Sequence, residues 1–373
     1  MNIGNKTTGK YFDRSMMTYY PLSERQSKVD ISETCISSEN YDRPIPRMLQ
    51  DRLGIIAEEI IMARKNGRPV VCAFGAHAIK NGLGRLLGSM AVRGWFSHLA
   101  TNGAGIIHDW EFAFQGKSSE DVRENVREGR FGTWEETGLY INLALAAGGA
   151  GGLGYGASVG SMIIHNGLVI PEREDLLAGG NHGDGAALDL YELVEDLKIP
   201  SGFFSIDHPY AQYSVQAIAF KSQTPFTGHP MFGHDIIYTH RANRGAAVGR
   251  TAERDFLEFV KNVESLEGGI YLSVGSAVMS PMIFEKALSM ARNTAHAQGK
   301  KITDCSIHVV DLQQSSWDWS AGEPPPGNPA YYLRFMKTFS RMGCKTDYTS
   351  ADNRDFFVGL YRALEGKSGG DPR

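Results

Sequence analysis

The chain has 373 residues, 42% hydrophobic and 21% charged, with 38 Lys and Arg against 42 Asp and Glu for a formal charge of −4. This globular composition excludes a disordered, collagenous or coiled-coil protein, and no basic block is long enough for counterion-driven nucleic-acid binding. The 43 glycines exceed the roughly 26 that average usage of about 7% would give.

Residues 1–45 are polar and punctuated by Ser, Thr, Asn and Pro, which predicts an irregular arm on the surface or on a neighbouring subunit. The N-terminus has no hydrophobic stretch after its positive charges, and no apolar run reaches the length of a membrane span. A cytoplasmic protein without a membrane partner is therefore expected. Cys35, Cys72, Cys305 and Cys344 lie far apart and form no CxxC pair, which points to neither a zinc knuckle nor a disulfide framework.

Regular structure is predicted from residue 48. Leu49, Leu53, Ile56, Ile60 and Ile61 recur at helical spacing, and Asn66-Gly67 ends the pattern. The apolar run 69–74 stops at Gly75, a glycine-bearing turn leads into a helix over 78–93, and 95–100 reads as a second strand. Strand, glycine turn, helix and strand make the βαβ unit of a parallel sheet. Residues 133–165 read as helical, with an Ala/Gly-rich middle suited to close packing of backbones. The alternation then resumes: helix 252–265, strand 269–274, helix 281–298 and strand 302–310. This pattern predicts one α/β domain over 46–366, a doubly wound Rossmann-like parallel sheet with helices on both faces, followed by a flexible tail at 367–373.

Ligands of open parallel sheets bind beyond the carboxyl ends of the strands, where the strand order reverses. In the first such loop, 75–84, glycines admit a phosphate to the backbone, a helix N-terminus offers N–H donors, and Lys80 adds charge. It lacks GxGxxG spacing, and a plain turn is the alternative. In the second, 101–111, Thr101 and Asn102 offer side-chain hydrogen bonds, Gly103 and Gly105 allow a cofactor close to the backbone, and His108 with Asp109 suggests an acid/base pair. Helix capping by Asp109, with His108 as its partner, competes with that reading.

The third loop gathers His229, His234, Asp235 and His240. These are ordinary metal-ligand types, but their spacing fits no established motif, so polar lining of a cleft is preferred, with His234 and Asp235 as candidate catalytic groups. Ser276 lies in a strand-to-helix turn, 275–281, able to meet a phosphate or simply to pack. Asp311, Trp317, Asp318 and Trp319 suggest an aromatic, anionic pocket in which Asp318 contacts a cofactor, or a tryptophan pair that merely packs.

Taken in order, these loops resemble deoxyhypusine synthase. Residues 76–84 resemble the family's loop before a glycine-led helix, and 101–109 its Thr-Thr-Ala-Gly-Gly run with the acids that follow. Residues 224–238 resemble its strand and Gly-Asp-Met helix start. Gly275-Ser276-Ala277 with Ala291-Arg292-Asn293 resembles its Gly-Gly-Gly turn and Met-Arg-Asn helix end, and 307–320 falls where the family has Asn-Thr-Ala-Gln-Glu-Phe-Asp-Gly-Ser. The likeness covers about 70–345.

It implies a Rossmann-like subunit, usually in a homotetramer, that binds NAD at a subunit interface. Family members oxidise spermidine, hold its aminobutyl group as an imine on a lysine, and pass it to an acceptor amine. The family's Ser-Trp-Gly-Lys stretch is absent: Ser316-Trp317-Asp318-Trp319 carries no lysine, and Lys80, Lys337 and Lys345 are the remaining candidates. Ile107 and His108 replace the acidic pair that meets the polyamine. The resulting expectation is a protein that binds NAD or a related nucleotide and acts on an amine or polyamine-like small metabolite without the usual lysine-imine step. An authentic aminobutyl transferase with a relocated lysine, and a non-catalytic scaffold or sensor, are the alternatives.

Overall fold

Six strands form one sheet: β1 (Val70–Phe74), β2 (His98–Asn102), β3 (Phe226–His229), β4 (Gly269–Val274), β5 (Cys305–Asp311) and β6 (Lys345–Ser350). The structure, a computed structural model, describes residues 11–367. The first ten residues of the expected arm and the tail beyond Lys367 lie outside the described residues. Every pairing in the sheet is parallel and the strand order is 3-2-1-4-5-6, the doubly wound Rossmann order with its switch point between β1 and β4.

The helices that position the site are α1 (Arg47–Lys65), α2 (Ala76–Lys80), α3 (Gly84–Val92), α4 (Gly103–Gln115), α5 (Glu135–Ala150), α6 (Tyr155–His165), α7 (Val215–Lys221), α8 (Gly245–Val263), α9 (Met279–Ala297), α10 (Arg334–Ser340) and α11 (Asn353–Lys367). Along β1, Val70, Cys72 and Phe74 join one core, with α1, α3 and α11, while Val71 and Ala73 join the other, with α8, α9 and α10. A strand buried on both faces needs an unbroken apolar run, which is why its sequence does not alternate. No helix among the described residues is long and apolar enough to cross a membrane.

Several boundaries differ from expectation. The helix expected over 78–93 is two, α2 and α3, broken where Gly82 takes φ +78° against the backbone of Thr34. The helical stretch 133–165 is also two, α5 and α6, separated by Gly151 to Gly154. The small residues serve close packing there: a Cβ at Gly148 would collide with Ser158, and one at Gly156 with the carbonyl of Phe226. Beyond the last expected strand, β6 and α11 complete the sheet edge and its cover; β6 carries Lys345, Thr346 and Asp347 and lacks the apolar run that marks the inner strands.

The cysteine expectation needs correction. Cys305 and Cys344 form a disulfide, 39 residues apart in sequence. They stand opposite each other where β5 and β6 pair in parallel register, Ser306 facing Lys345. Only the crossover between those strands brings them together, which spacing along the chain does not reveal.

Residues 11–45 lie against the chain's own domain. Val29–Asp30 pairs antiparallel with Lys117–Ser118, Tyr20 bridges to Trp134, and Leu22 and Ile31 are buried in the main core. This wrapping carries Arg25 into the interior.

Candidate functional site

A cavity of about 180 Å³ opens beyond the carboxyl ends of β1, β2 and β3. Lys80 reaches it from the end of α2, and Ala104, Ile107, His108 and Glu111 line it from α4. That spacing is one face of a helix. His234 and Asp235 enter from the turn after β3, and Arg25 and Glu120 from the arm and the segment after α4.

Glu111 is fully buried and anchors the wall. Its oxygens accept both terminal nitrogens of Arg25 at 2.7 and 2.8 Å, the hydroxyl of Thr137 at 3.0 Å and that of Ser118 at 2.6 Å. Burial alone would raise its pKa, but the Arg25 guanidinium, together with the Ser118 hydrogen bond and His108, holds the carboxyl below the usual range. An ionised carboxylate only accepts hydrogen bonds, so the single Ser118 hydroxyl proton points to Glu111.

His108 Nδ1 is 2.7 Å from the same Ser118 oxygen. With that hydroxyl proton committed to Glu111, Nδ1 must carry the proton and donate. Burial lowers the imidazole pKa to about 4, so the ring is neutral near pH 7 and its Nε2 holds a bare lone pair. Nε2 has no hydrogen-bond partner among the described residues.

Asp235 occupies the opposite situation. Its Oδ2 is buried and has no hydrogen-bond partner among the described residues, and burial raises the carboxyl pKa to about 7. The carboxylate sits against the start of α4, where a Cβ at Gly103 would collide with it. The hydroxyls of Tyr155 and Tyr238 are likewise buried without partners. The interior beside the cavity thus has acceptor and donor capacity that the chain itself does not use.

The cavity brings together four of the residues singled out from sequence: Lys80, His108, His234 and Asp235. Asp109 is not among its lining residues. It is buried on another face of α4, where Ser214 Oγ donates at 2.5 Å, Val215 N at 3.0 Å and Gln216 Nε2 at 2.9 Å, so it holds the start of α7. A residue next to His108 is turned about 100° around the helix, whereas Glu111, three residues on, shares its face.

The expected cofactor contacts of the second loop are engaged within the fold. Thr101 Oγ1 donates to the Phe74 carbonyl at 2.9 Å, and Asn102 Oδ1 caps α4 by accepting from Gly105 N at 2.9 Å. Gly103 makes room for Asp235, and Gly105 for Thr101. Asp318 caps its own short turn through Ser320. Trp317 Nε1 donates to the Gly322 carbonyl at 2.8 Å, and Trp319 is buried in the second core, so the two indoles pack rather than form an open aromatic pocket.

The three histidines of the third loop also separate. His229, inside β3, shares Thr227 Oγ1 with His98, at 2.9 and 2.8 Å. His240 faces Glu135 at 3.2 Å, and only His234 lines the cavity. Sequence reasoning missed Arg25, Ser118 and Glu120 entirely; the arm containing Arg25 has no periodicity that would signal a buried charge.

The switch point lies at the opposite end of α2 from the cavity: the helix follows Gly75 at the end of β1 and ends at Lys80. Gly75 N donates to Val274 O at 3.1 Å, and a Cβ at Gly75 would collide with the Gly275 carbonyl. Gly275 itself has φ +60° and open space above its Cα. Ser276 Oγ accepts from Ser280 N at 3.2 Å, while the backbone N–H groups of Ser276, Ala277 and Val278 have no acceptor among the described residues. Unbonded amides ahead of the 19-residue helix α9 suit a diphosphate, so the residues here fit a dinucleotide.

No family model and no curated protein matches this chain. Among solved structures, the ternary complex of AgrE with ornithine and NAD+ is 16% identical at a TM-score of 0.43, covering 87% of this chain and 34% of that one. ArgZ, an arginine dihydrolase from the ornithine-ammonia cycle in cyanobacteria, is 15% identical at a TM-score of 0.45, covering 87% and 32%. A conserved putative LOR/SDH protein from Methanococcus maripaludis S2 is 13% identical at a TM-score of 0.43, covering 90% and 73%. The chain spans about a third of the length of AgrE and ArgZ. Similarities this low carry no argument about function.

Proposed function

We propose that this chain is a deoxyhypusine-synthase-like protein that binds NAD or a related nucleotide at the β1/β4 switch point and acts on an amine in the cavity at the other end of α2, as a transferase or oxidoreductase. The observation that carries the reading is Asp235: a cavity-lining residue whose buried Oδ2 lacks a partner among the described residues. An ammonium group supplies the missing donor and keeps the carboxylate ionised.

Bound NAD supplies a hydride acceptor. The amides of Ser276 to Val278 and the start of α9 would hold its diphosphate, since they lack acceptors among the described residues and the cavity of about 180 Å³ is too small for a dinucleotide. Asp235 binds the ammonium as an ion pair and orients the amine, the cation offsetting the burial that raises the unpaired carboxyl to about 7. His108 Nε2 is a second hydrogen-bond acceptor in the same cavity, and the Glu111 carboxylate lies 4.0 Å from Nδ1 on the far side of the ring. The same reading includes a cytoplasmic homotetramer.

Calorimetric titration of the purified chain with NAD tests the proposal. Saturable binding, or NAD released from the protein on heating, supports it; neither result removes the nucleotide.

One observation favours a second reading, aminobutyl transfer through a relocated lysine. Lys80 lines the cavity, whereas Lys337 pairs with Glu323 and Lys345 with Glu59. Borohydride trapping after incubation with NAD and spermidine then labels Lys80, and an unlabelled protein eliminates this route.

A further inference from the structure

Lys80 and Asp235 line the same cavity, yet no ion pair joins them, and Lys80 has no carboxylate partner among the described residues. Arg25, the other strong cation of the lining, is consumed by Glu111 at 2.7 Å. Glu120 already accepts from Trp134 Nε1 at 3.0 Å and Asn125 Nδ2 at 2.7 Å. Without a partner among the described residues are the Lys80 ammonium, the buried oxygens Asp235 Oδ2 and Ser119 Oγ, the His234 ring and the His108 Nε2 lone pair, all on residues that line one small space.

A simple diamine satisfies the acceptors but brings a second positive charge toward Lys80. A simple carboxylic acid satisfies Lys80 and leaves Asp235 Oδ2 orphaned. A molecule carrying both an ammonium and a carboxylate answers both. We infer that the cavity takes a small amino acid, its carboxylate on Lys80 and its amino group between Asp235 and His108 Nε2. This rests on the amine reading above, without an imine at Lys80, and narrows its substrate class.

The Ser118 and Glu111 contacts matter to this assignment because they fix the face that the imidazole presents. With Nδ1–H turned to Ser118, Nε2 accepts from an N–H donor. The opposite tautomer would offer a proton and repel an ammonium. Ser118 is therefore a positioning residue.

The test is equilibrium titration of the full chain with three amino acids and their decarboxylated counterparts: L-ornithine with putrescine, L-lysine with cadaverine, and L-alanine with ethylamine. Within a pair the molecules differ only in the carboxylate. At least one amino acid binds ten-fold or more tightly than its amine, the scale of a charge-assisted hydrogen bond. Lys80→Met brings that pair to within about two-fold, and Lys80→Arg retains the preference. Amines binding as tightly as amino acids in every pair overturn the carboxylate assignment and leave the amine reading standing. If none of the six titrates, both fall.

Discussion

His108 and Ser118 meet at 2.7 Å across one wall of the cavity, Nδ1 against Oγ, although ten residues and the end of a helix separate them in sequence. Ser118 passes its own proton to Glu111 at 2.6 Å, so the contact sets the histidine tautomer and leaves Nε2 unprotonated. In 15N NMR spectra, His108 of the wild type therefore reports the Nδ1–H form. Ser118→Ala shifts it toward a tautomer mixture and weakens amine binding about ten-fold, the equivalent of one hydrogen bond. An unchanged His108 spectrum in the variant would contradict this arrangement.

Arg25 and Glu111 are each about 1% exposed, and their pairing is bidentate. Arg25→Met leaves an uncompensated buried carboxylate and lowers unfolding free energy in urea by about 3–5 kcal/mol. Adding Glu111→Leu restores much of that loss, since removing both charges removes the desolvation cost. A single variant as stable as wild type would show that Glu111 is not charged.

How much of this was legible beforehand follows from the same residues. The inner strands were: β1 and β4 are apolar runs bounded by glycine, whereas the edge strand β6 carries no such run. Lys80, His108, His234 and Asp235, which line one cavity, are legible as candidates because they follow the strands of such a sheet. Arg25 was not, because a buried arginine in a segment without periodicity has no local signal. Asp109 adjoins His108 in sequence but faces elsewhere, whereas Glu111, three residues on, shares the face of His108. The Cys305–Cys344 bridge required the strand order itself.

Burial lowers His98 and His229 to about 3 and His108 to about 4, from an ordinary 6.5. A lowered histidine contributes stability that is present above its unfolded pKa and is lost as pH falls through its folded one. Thermal stability accordingly drops from about pH 6.5 toward pH 3, and His98→Gln makes that slope shallower. A variant with the full wild-type slope would mean that His98 is charged in the fold.

Asp255 works in the opposite sense. Burial raises it from 3.8 to about 8 despite hydrogen bonds from Gly156 N and Gly228 N at 2.8 and 2.6 Å. Its contribution is full below pH 3.8 and is lost as pH rises through about 8. Asp255→Asn therefore gains stability relative to wild type between pH 4 and 8, measured by denaturant unfolding.

With Cys305 and Cys344 bridged, the unfolded, unreduced protein shows two free thiols, Cys35 and Cys72. Reduction raises the count to four. Cys344→Ser lowers unfolding free energy by about 2–4 kcal/mol, the usual effect of opening a loop of this length. Four thiols before reduction would exclude the bridge.

The claim on which the functional account depends is that Asp235 receives an amine. Calorimetric titration of wild type and Asp235→Asn with putrescine and L-ornithine at pH 8 addresses it directly. Saturable binding of at least one ligand to wild type, weakened ten-fold or more in a variant that keeps its circular dichroism spectrum, is the predicted result. Binding of equal affinity in the two proteins, or none in either, would contradict it.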